Sequence, residues 1–176
     1  MSTTRVEQRY GRPAVLLHWT IALLIALAYV SMNVRGPKGT LNRILWSDVH
    51  FWAGTLVLVL TVLRVMWRAR AGAPPLLPQP KYLMLLSHAV HFVLYVFIFV
   101  QPVLGILTLD LQGHPLALPG LPWSLNFVGP NREQANTLFW IHKYLADTFY
   151  FVIGLHALAA LWHHFVRRDG TLRRML

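Results

Sequence analysis

The chain has 176 residues, enough for one domain, and it is 56% hydrophobic but only 12% charged. Soluble domains are about 25% charged, so this composition excludes an ordinary soluble protein and indicates a membrane protein. Cysteine is absent, which excludes disulfides, iron–sulfur ligation by this chain and covalently attached c-type haem. The formal charge is +10, but the basic residues flank apolar runs instead of forming a stripe, which argues against nucleic-acid binding.

Four apolar runs follow one another along the chain, at about residues 14–34, 44–67, 82–109 and 135–166. Each meets the roughly 20 residues that a helix needs to cross about 30 Å of hydrocarbon. The first run is longer than the apolar core of a signal peptide, so we expect no cleavage after it. None of the runs alternates strictly, so barrel strands are not expected. The sequence therefore predicts one all-α domain over residues 1–176, an integral membrane four-helix bundle, with a kink at Pro102.

The basic residues indicate how the bundle is oriented. Eleven of the sixteen lie at the amino terminus, in and around the second linker, or at the carboxyl terminus, three regions that share one side of such a bundle. The positive-inside rule then predicts that both termini are cytoplasmic. The remaining five are expected on the outer side: Arg35, Lys38, Arg43, Arg132 and Lys143.

Nine histidines are unusual in so apolar a chain, because ionisable residues within a membrane are costly and usually functional. His142 and His156 are fourteen residues apart, nearly four helical turns, so they share one face about 21 Å apart. His50 lies near the outer end of helix two and His18 near the inner end of helix one. We predict two depth-matched pairs, His50 with His142 and His18 with His156, each holding one b-type haem inside the bundle. Two imidazoles saturate the iron and favour electron transfer.

Other interpretations of these histidines remain open at this stage. The side chains could simply hydrogen-bond neighbouring helices, or hold zinc, although zinc prefers three or four ligands at one depth. His163, seven residues after His156 and nearly on the same face, competes for the inner haem. Arg12, Arg64 and Arg68 are placed to meet inner haem propionates, or only to flank the membrane. Gly54, Gly105 and Gly154 would allow close approach of a flat ring or of a helix.

Several stretches resemble the bacterial cytochrome b561 family, and the likeness extends over nearly the whole chain. They are Leu17-His18-Trp19, Asp48-Val49-His50, Ser87-His88-Ala89-Val90-His91, and the region from Ile141-His142-Lys143 through Gly154-Leu155-His156-Ala157 to Trp162-His163-His164. The resemblance implies a bacterial inner-membrane protein with two haems, in which His18 and His156 bind the inner haem and His50 and His142 the outer one. It is greatest to short, free-standing members that transfer electrons from periplasmic superoxide to ubiquinone.

We therefore expect a superoxide:quinone oxidoreductase that requires no protein partner. Arg35, Lys38, Arg43 and Lys143 would attract the superoxide anion to the outer side, since a field of one sign raises encounter rates. Lys81, His88 and His91 are candidates for the quinone site near the cytoplasm, where they would help to supply protons. Solvation and lipid contact also account for the basic outer residues. The alternative function is a haem b relay subunit that anchors a dehydrogenase or hydrogenase and reduces quinone; a non-redox membrane protein is a further rival.

Overall fold

The computed structural model describes residues 9–75, 77, 79–117 and 124–176. Four long helices dominate it: α1 Arg12–Val34, α2 Leu41–Ala71, α3 Lys81–Leu111 and α4 Arg132–Trp162. Each is long and apolar enough to cross a membrane, which confirms the predicted four-helix membrane bundle. A π-helical turn, His163–Arg167, follows α4, and a 3-10 helix, Leu172–Met175, ends the chain.

The helices extend into polar flanks that the apolar runs did not include, because local capping rather than hydropathy sets their ends. The Thr40 side chain accepts a hydrogen bond from the Arg43 backbone at the start of α2. Gly72 ends α2 at φ 74°, a left-handed conformation that glycine adopts without strain, and its N–H bonds to the Arg68 carbonyl. Asn131 caps α4 by accepting from the Gln134 backbone. α3 continues through Pro102.

The bundle consists of two helical hairpins. α1 packs against α2 and α3 against α4, while α2 also packs against α3. Side chains connect α1 and α4: the Tyr29 hydroxyl donates to the Ala146 carbonyl at 2.8 Å, and the Tyr29 and Tyr150 rings lie 4.0 Å apart. Large apolar side chains cover the outside; Phe151, for example, is 75% exposed. Such an apolar surface suits contact with lipid. The helices also satisfy their own backbone polar groups, as a span without water requires.

One end of the bundle, which we call the inner end, holds the start of α1 and the carboxyl-terminal residues. The Trp19 indole donates to the Met175 carbonyl at 2.7 Å, and the Tyr10 N–H donates to the Arg174 carbonyl at 3.3 Å. The Arg174 guanidinium also donates to the Pro75 carbonyl in the α2–α3 linker at 2.8 Å. The carboxyl-terminal tail is therefore folded across the start of α1 and this linker.

The other end, which we call the outer end, carries the α1–α2 and α3–α4 connections. Two short antiparallel strands, β1 Leu116–Ala117 and β2 Ser124–Leu125, lie in the second connection and were not predicted. The Asp110 carboxylate, 2% exposed, accepts from the backbone N–H groups of Phe127 and Val128 at 2.7 and 2.8 Å. A buried carboxylate thus ties the returning chain to the end of α3.

Candidate functional site: two imidazole pairs inside the bundle

Four of the histidines meet as two pairs at different depths. The ring centres of His50 and His142 lie 6.1 Å apart and those of His18 and His156 lie 6.3 Å apart. In both pairs the rings are nearly perpendicular, at 88° and 78°. His142 and His156 both come from α4, whereas their partners come from α2 and α1. These are the two pairs that the sequence predicted to share a depth.

The ring separations fit one metal ion between the two imidazoles of each pair. A metal bound at about 2 Å by nitrogens on opposite sides places the two ring centres about 6 Å apart. Two facing imidazoles of this kind would be suited to hold the iron of a haem. Within the described ranges, no three His, Asp or Glu side chains form the cluster that zinc usually needs.

Backbone carbonyls orient both rings of the outer pair. His50 Nδ1 lies 2.8 Å from the Ala28 carbonyl of α1, and His142 Nδ1 lies 3.0 Å from the Gln101 carbonyl of α3. A carbonyl only accepts, so Nδ1 carries the proton and donates in each ring. Nε2 is then the unprotonated nitrogen that can bind a metal, and the carbonyl fixes the ring's orientation. The Gln101 side-chain amide also donates to the His142 carbonyl at 3.1 Å.

Glycines border this outer site. A Cβ on Gly105 would meet His142 Cε1 at 3.5 Å, so the absence of a side chain lets α3 approach the imidazole closely. Gly54 lies one turn after His50 and about 40° around α2. A Cβ there would meet no protein atom within 4 Å. The residues present therefore leave room beside the imidazole pair for a flat group, as haem binding requires.

The inner pair is surrounded by further basic groups. Arg64 lies within electrostatic range of both His18 and His156, and its guanidinium donates to the Ala14 carbonyl at 2.7 Å. Arg12 is the first residue of α1. The ring of His91, on α3, lies 5.3 Å from that of His156. Of the three predicted propionate partners, Arg64 is the one within electrostatic range of the imidazoles. Arg68 instead donates to the Tyr95 hydroxyl at 3.4 Å.

His163 has a different partner from the one that its helical spacing suggested. Its Nδ1 lies 2.5 Å from the Asp169 carboxylate, which also accepts from the Thr171 hydroxyl at 2.6 Å. Burial raises the pKa of Asp169, but the hydrogen bonds from Thr171 and His163 outweigh that effect and lower it below its usual 3.8. Because His163 is engaged in the tail, the geometry favours His156 for the inner pair.

The basic residues predicted to attract an anion divide into two groups. Arg35, at the end of α1, is partly buried, lies close to Arg43 and is within electrostatic range of His50. Burial, and then the charge of Arg43, lower the pKa of Arg35. Lys143, in contrast, forms an ion pair with Asp147 at 2.8 Å, which offsets its charge. Lys38 lies in the short connection between α1 and α2.

Lys81 and His88, predicted for a quinone, are exposed on the first two turns of α3, at the inner end. They do not join the inner imidazole pair, whereas His91, one turn further on, does. Gln101, which was not predicted as a site residue, holds His142 through both its backbone and its side chain. A lone amide within an apolar span was a usable signal, because polar residues in a membrane usually have a specific partner.

Four apolar helices that hold two pairs of facing imidazoles define a membrane-embedded cytochrome b. A family model described as prokaryotic cytochrome b561 matches residues 9–176, and the chain belongs to this family. It therefore binds b-type haem and takes part in membrane electron transfer.

Relatives of similar length support this membership. The chain is 36% identical to a probable superoxide oxidase CybB of Yersinia pestis, over 97% of both chains. It is 34% identical to cytochrome b561 homolog 1 of Escherichia coli K12, over 96% of this chain and 97% of the relative. Identity to cytochrome b561 homolog 2 of the same organism is 30%, over 100% of this chain and 95% of the relative.

Proposed function

We propose that this protein is a superoxide oxidase that transfers electrons from periplasmic superoxide to ubiquinone across the bacterial inner membrane, with both termini in the cytoplasm. The observation that carries the proposal is the placement of Arg35. It lies at the outer end, within electrostatic range of both Arg43 and His50, a member of the outer imidazole pair. The name of the Yersinia pestis relative, a probable superoxide oxidase, supports the same reaction.

The two imidazole pairs are proposed to hold two haems, His50 with His142 in the outer half and His18 with His156 in the inner half. Arg64, and more weakly Arg12, would neutralise propionates at the inner end. When bound, the two haems supply the one-electron chemistry that neither amino-acid side chains nor the bilayer can supply. Because two imidazoles would hold each haem iron, superoxide would not need to bind the metal.

The basic residues at the outer end would attract the superoxide anion through their positive charge. An arginine stays protonated at neutral pH, so Arg35 and Arg43 present two permanent positive charges to a small anion. Lys38 in the same connection adds a third, and Lys143 contributes least because Asp147 is paired with it. A field of one sign in front of a site can raise encounter rates by about 10- to 1000-fold.

The overall reaction balances with two superoxide anions for each quinone. Each superoxide loses one electron and leaves as dioxygen, while ubiquinone gains two electrons and two protons to become ubiquinol. The protons must come from the cytoplasmic side if the quinone is reduced at the inner end. Lys81 and His88, with His91, remain the candidates to deliver them, and Lys81 and His88 lie at the inner end of α3.

Stopped-flow reduction of the purified, oxidised protein by superoxide, followed at the haem b absorption bands with ubiquinone present, tests the proposal. We expect fast haem reduction that passes to quinone and weakens as salt increases. The double variant Arg35→Gln/Arg43→Gln should slow the superoxide step about tenfold at low salt. Arg173→Gln, a loss of one charge at the inner end, is the control and should leave this step unchanged.

Two results would refute the proposal. Haem that is present but inert to superoxide would instead support the relay subunit that receives electrons from a dehydrogenase or hydrogenase. Equal slowing by the inner-end control would show that net charge matters and that the position of Arg35 and Arg43 does not.

A further inference from the structure

A third imidazole adjoins the inner pair, and none of the described residues plays the same part at the outer pair. His91 lies on α3 with its Nδ1 2.6 Å from the Ser87 carbonyl one turn earlier. Its ring centre is 5.3 Å from that of His156, and the two rings are perpendicular, at 87°. His156 therefore faces two imidazoles, His18 at 6.3 Å and His91 at 5.3 Å.

The two distances distinguish the two neighbours. A metal ion between two imidazoles requires ring centres about 6 Å apart, as His18 and His156 have. A direct hydrogen bond between ring nitrogens, with about 3 Å between the nitrogens, gives ring centres about 5 Å apart. His91 is thus too close to share a metal ion with His156. The two rings meet edge to face without a hydrogen bond in this structure, but they are close enough for a small rotation of either ring to bring two nitrogens together.

The hydrogen bonding of His91 sets its chemical character. The Ser87 carbonyl can only accept, so His91 Nδ1 carries the proton and donates to it. His91 Nε2 is then left with a lone pair and can accept a hydrogen bond. If His156 binds iron through Nε2, its own Nδ1 carries a proton that needs an acceptor.

The outer pair satisfies this need differently. His50 and His142 each donate to a backbone carbonyl, of Ala28 and Gln101. We propose that His91 is the positioning residue of the inner axial ligand, accepting the Nδ1–H of His156 through its Nε2. This inference rests on the proposed assignment of His156 as an axial ligand.

The expected effect is on the reduction potential of the inner haem. A hydrogen bond from the ligand's Nδ1–H to an imidazole nitrogen makes the ligand more basic, which stabilises the oxidised iron. Loss of that acceptor should raise the inner potential relative to the outer one. Loss of an outer-sphere partner also weakens metal binding, typically about 10- to 100-fold.

The test is a potentiometric titration of the purified protein carrying His91→Leu, with low-temperature electron paramagnetic resonance of the oxidised haems. We expect a more positive inner potential, an unchanged outer potential and a retained signal for two imidazole ligands. His91→Gln, whose amide oxygen can accept a hydrogen bond, should bring the inner potential part of the way back to the wild-type value. His164→Leu removes another inner-end imidazole and should move neither potential.

Several outcomes would overturn the inference. An unchanged inner potential in His91→Leu would do so, and so would an equal shift in His164→Leu. Loss of the inner haem in both His91 variants, with its retention in His18→Gln, would make His91 the axial ligand. Retention of both haems in His156→Gln would instead overturn the ligand assignment itself, so the two failures can be told apart.

Discussion

Replacing Gly54 by leucine tests whether the space beside the outer imidazole pair is a haem-binding cleft or ordinary space between helices. A Cβ at Gly54 meets no protein atom within 4 Å, and the same is true of Gly154. The first side-chain atom therefore meets no clash with another part of the chain at either position. Helix propensity even predicts a gain of about 0.5–1 kcal/mol. The two positions differ in direction: Gly54 lies about 40° around its helix from His50, whereas Gly154 lies about 160° around its helix from His156.

We expect Gly54→Leu to lose the outer haem, because the leucine side chain would project into the room beside the outer imidazole pair. The ratio of haem to protein should then fall from two to one, measured by the pyridine haemochrome assay on protein that still elutes as a single species. Gly154→Leu is the matched control and should keep both haems. Full haem content in Gly54→Leu, with unchanged absorption bands, would show that the flat group does not lie along this face of α2.

Three further predictions concern the ligands and the two ends of the bundle. His142→Gln should leave one haem per protein, whereas His163→Gln should keep two, as counted by the same assay; the reverse result would exchange their roles. Asp110→Ala should destabilise the protein by about 1–3 kcal/mol, because it leaves two backbone N–H groups without their acceptor. Thermal unfolding in detergent measures this, and Asp110→Asn, which keeps an oxygen acceptor, should lose less. The lowered pKa of Asp169 means that its carboxylate stabilises the docked tail above about pH 4 and that this contribution is lost as the pH falls below the lowered value. A spin label on Leu176→Cys, the sole cysteine in such a variant, should be immobile at pH 7 and mobile at low pH, and equally mobile at both when Asp169→Asn is added.

The proposed electrostatic attraction of superoxide depends on which basic residues remain free to act. Lys143 stands next to His142 in the chain and looked well placed, but Asp147 one turn later pairs with it. This pairing follows the i, i+4 rule for helices and was therefore predictable from the sequence. Arg35 and Arg43 lie at the ends of different helices, and their closeness depends on the short turn between α1 and α2.

The sequence by itself determined the features that depend on local periodicity and composition. The apolar runs specified four spans, because about 20 apolar residues are needed to cross the hydrocarbon whatever their neighbours are. The fourteen-residue interval put His142 and His156 on one face of α4, because the helical repeat is fixed by backbone hydrogen bonds. The depth of each histidine within its span also followed, since consecutive spans run in opposite directions.

Only the tertiary structure decided which side chains meet across helices. The rotation of each helix about its axis brought His91 against His156 and sent His163 to Asp169, although both had been candidates for other roles. It also brought the Gln101 carbonyl to His142. Such contacts depend on how the helices pack against each other. A different packing changes the distance between side chains on two helices by several ångströms, while the sequence pattern along each helix stays the same. Spacing along one helix therefore predicts which ligands share a face, while the partner of each ligand is a property of the assembled bundle.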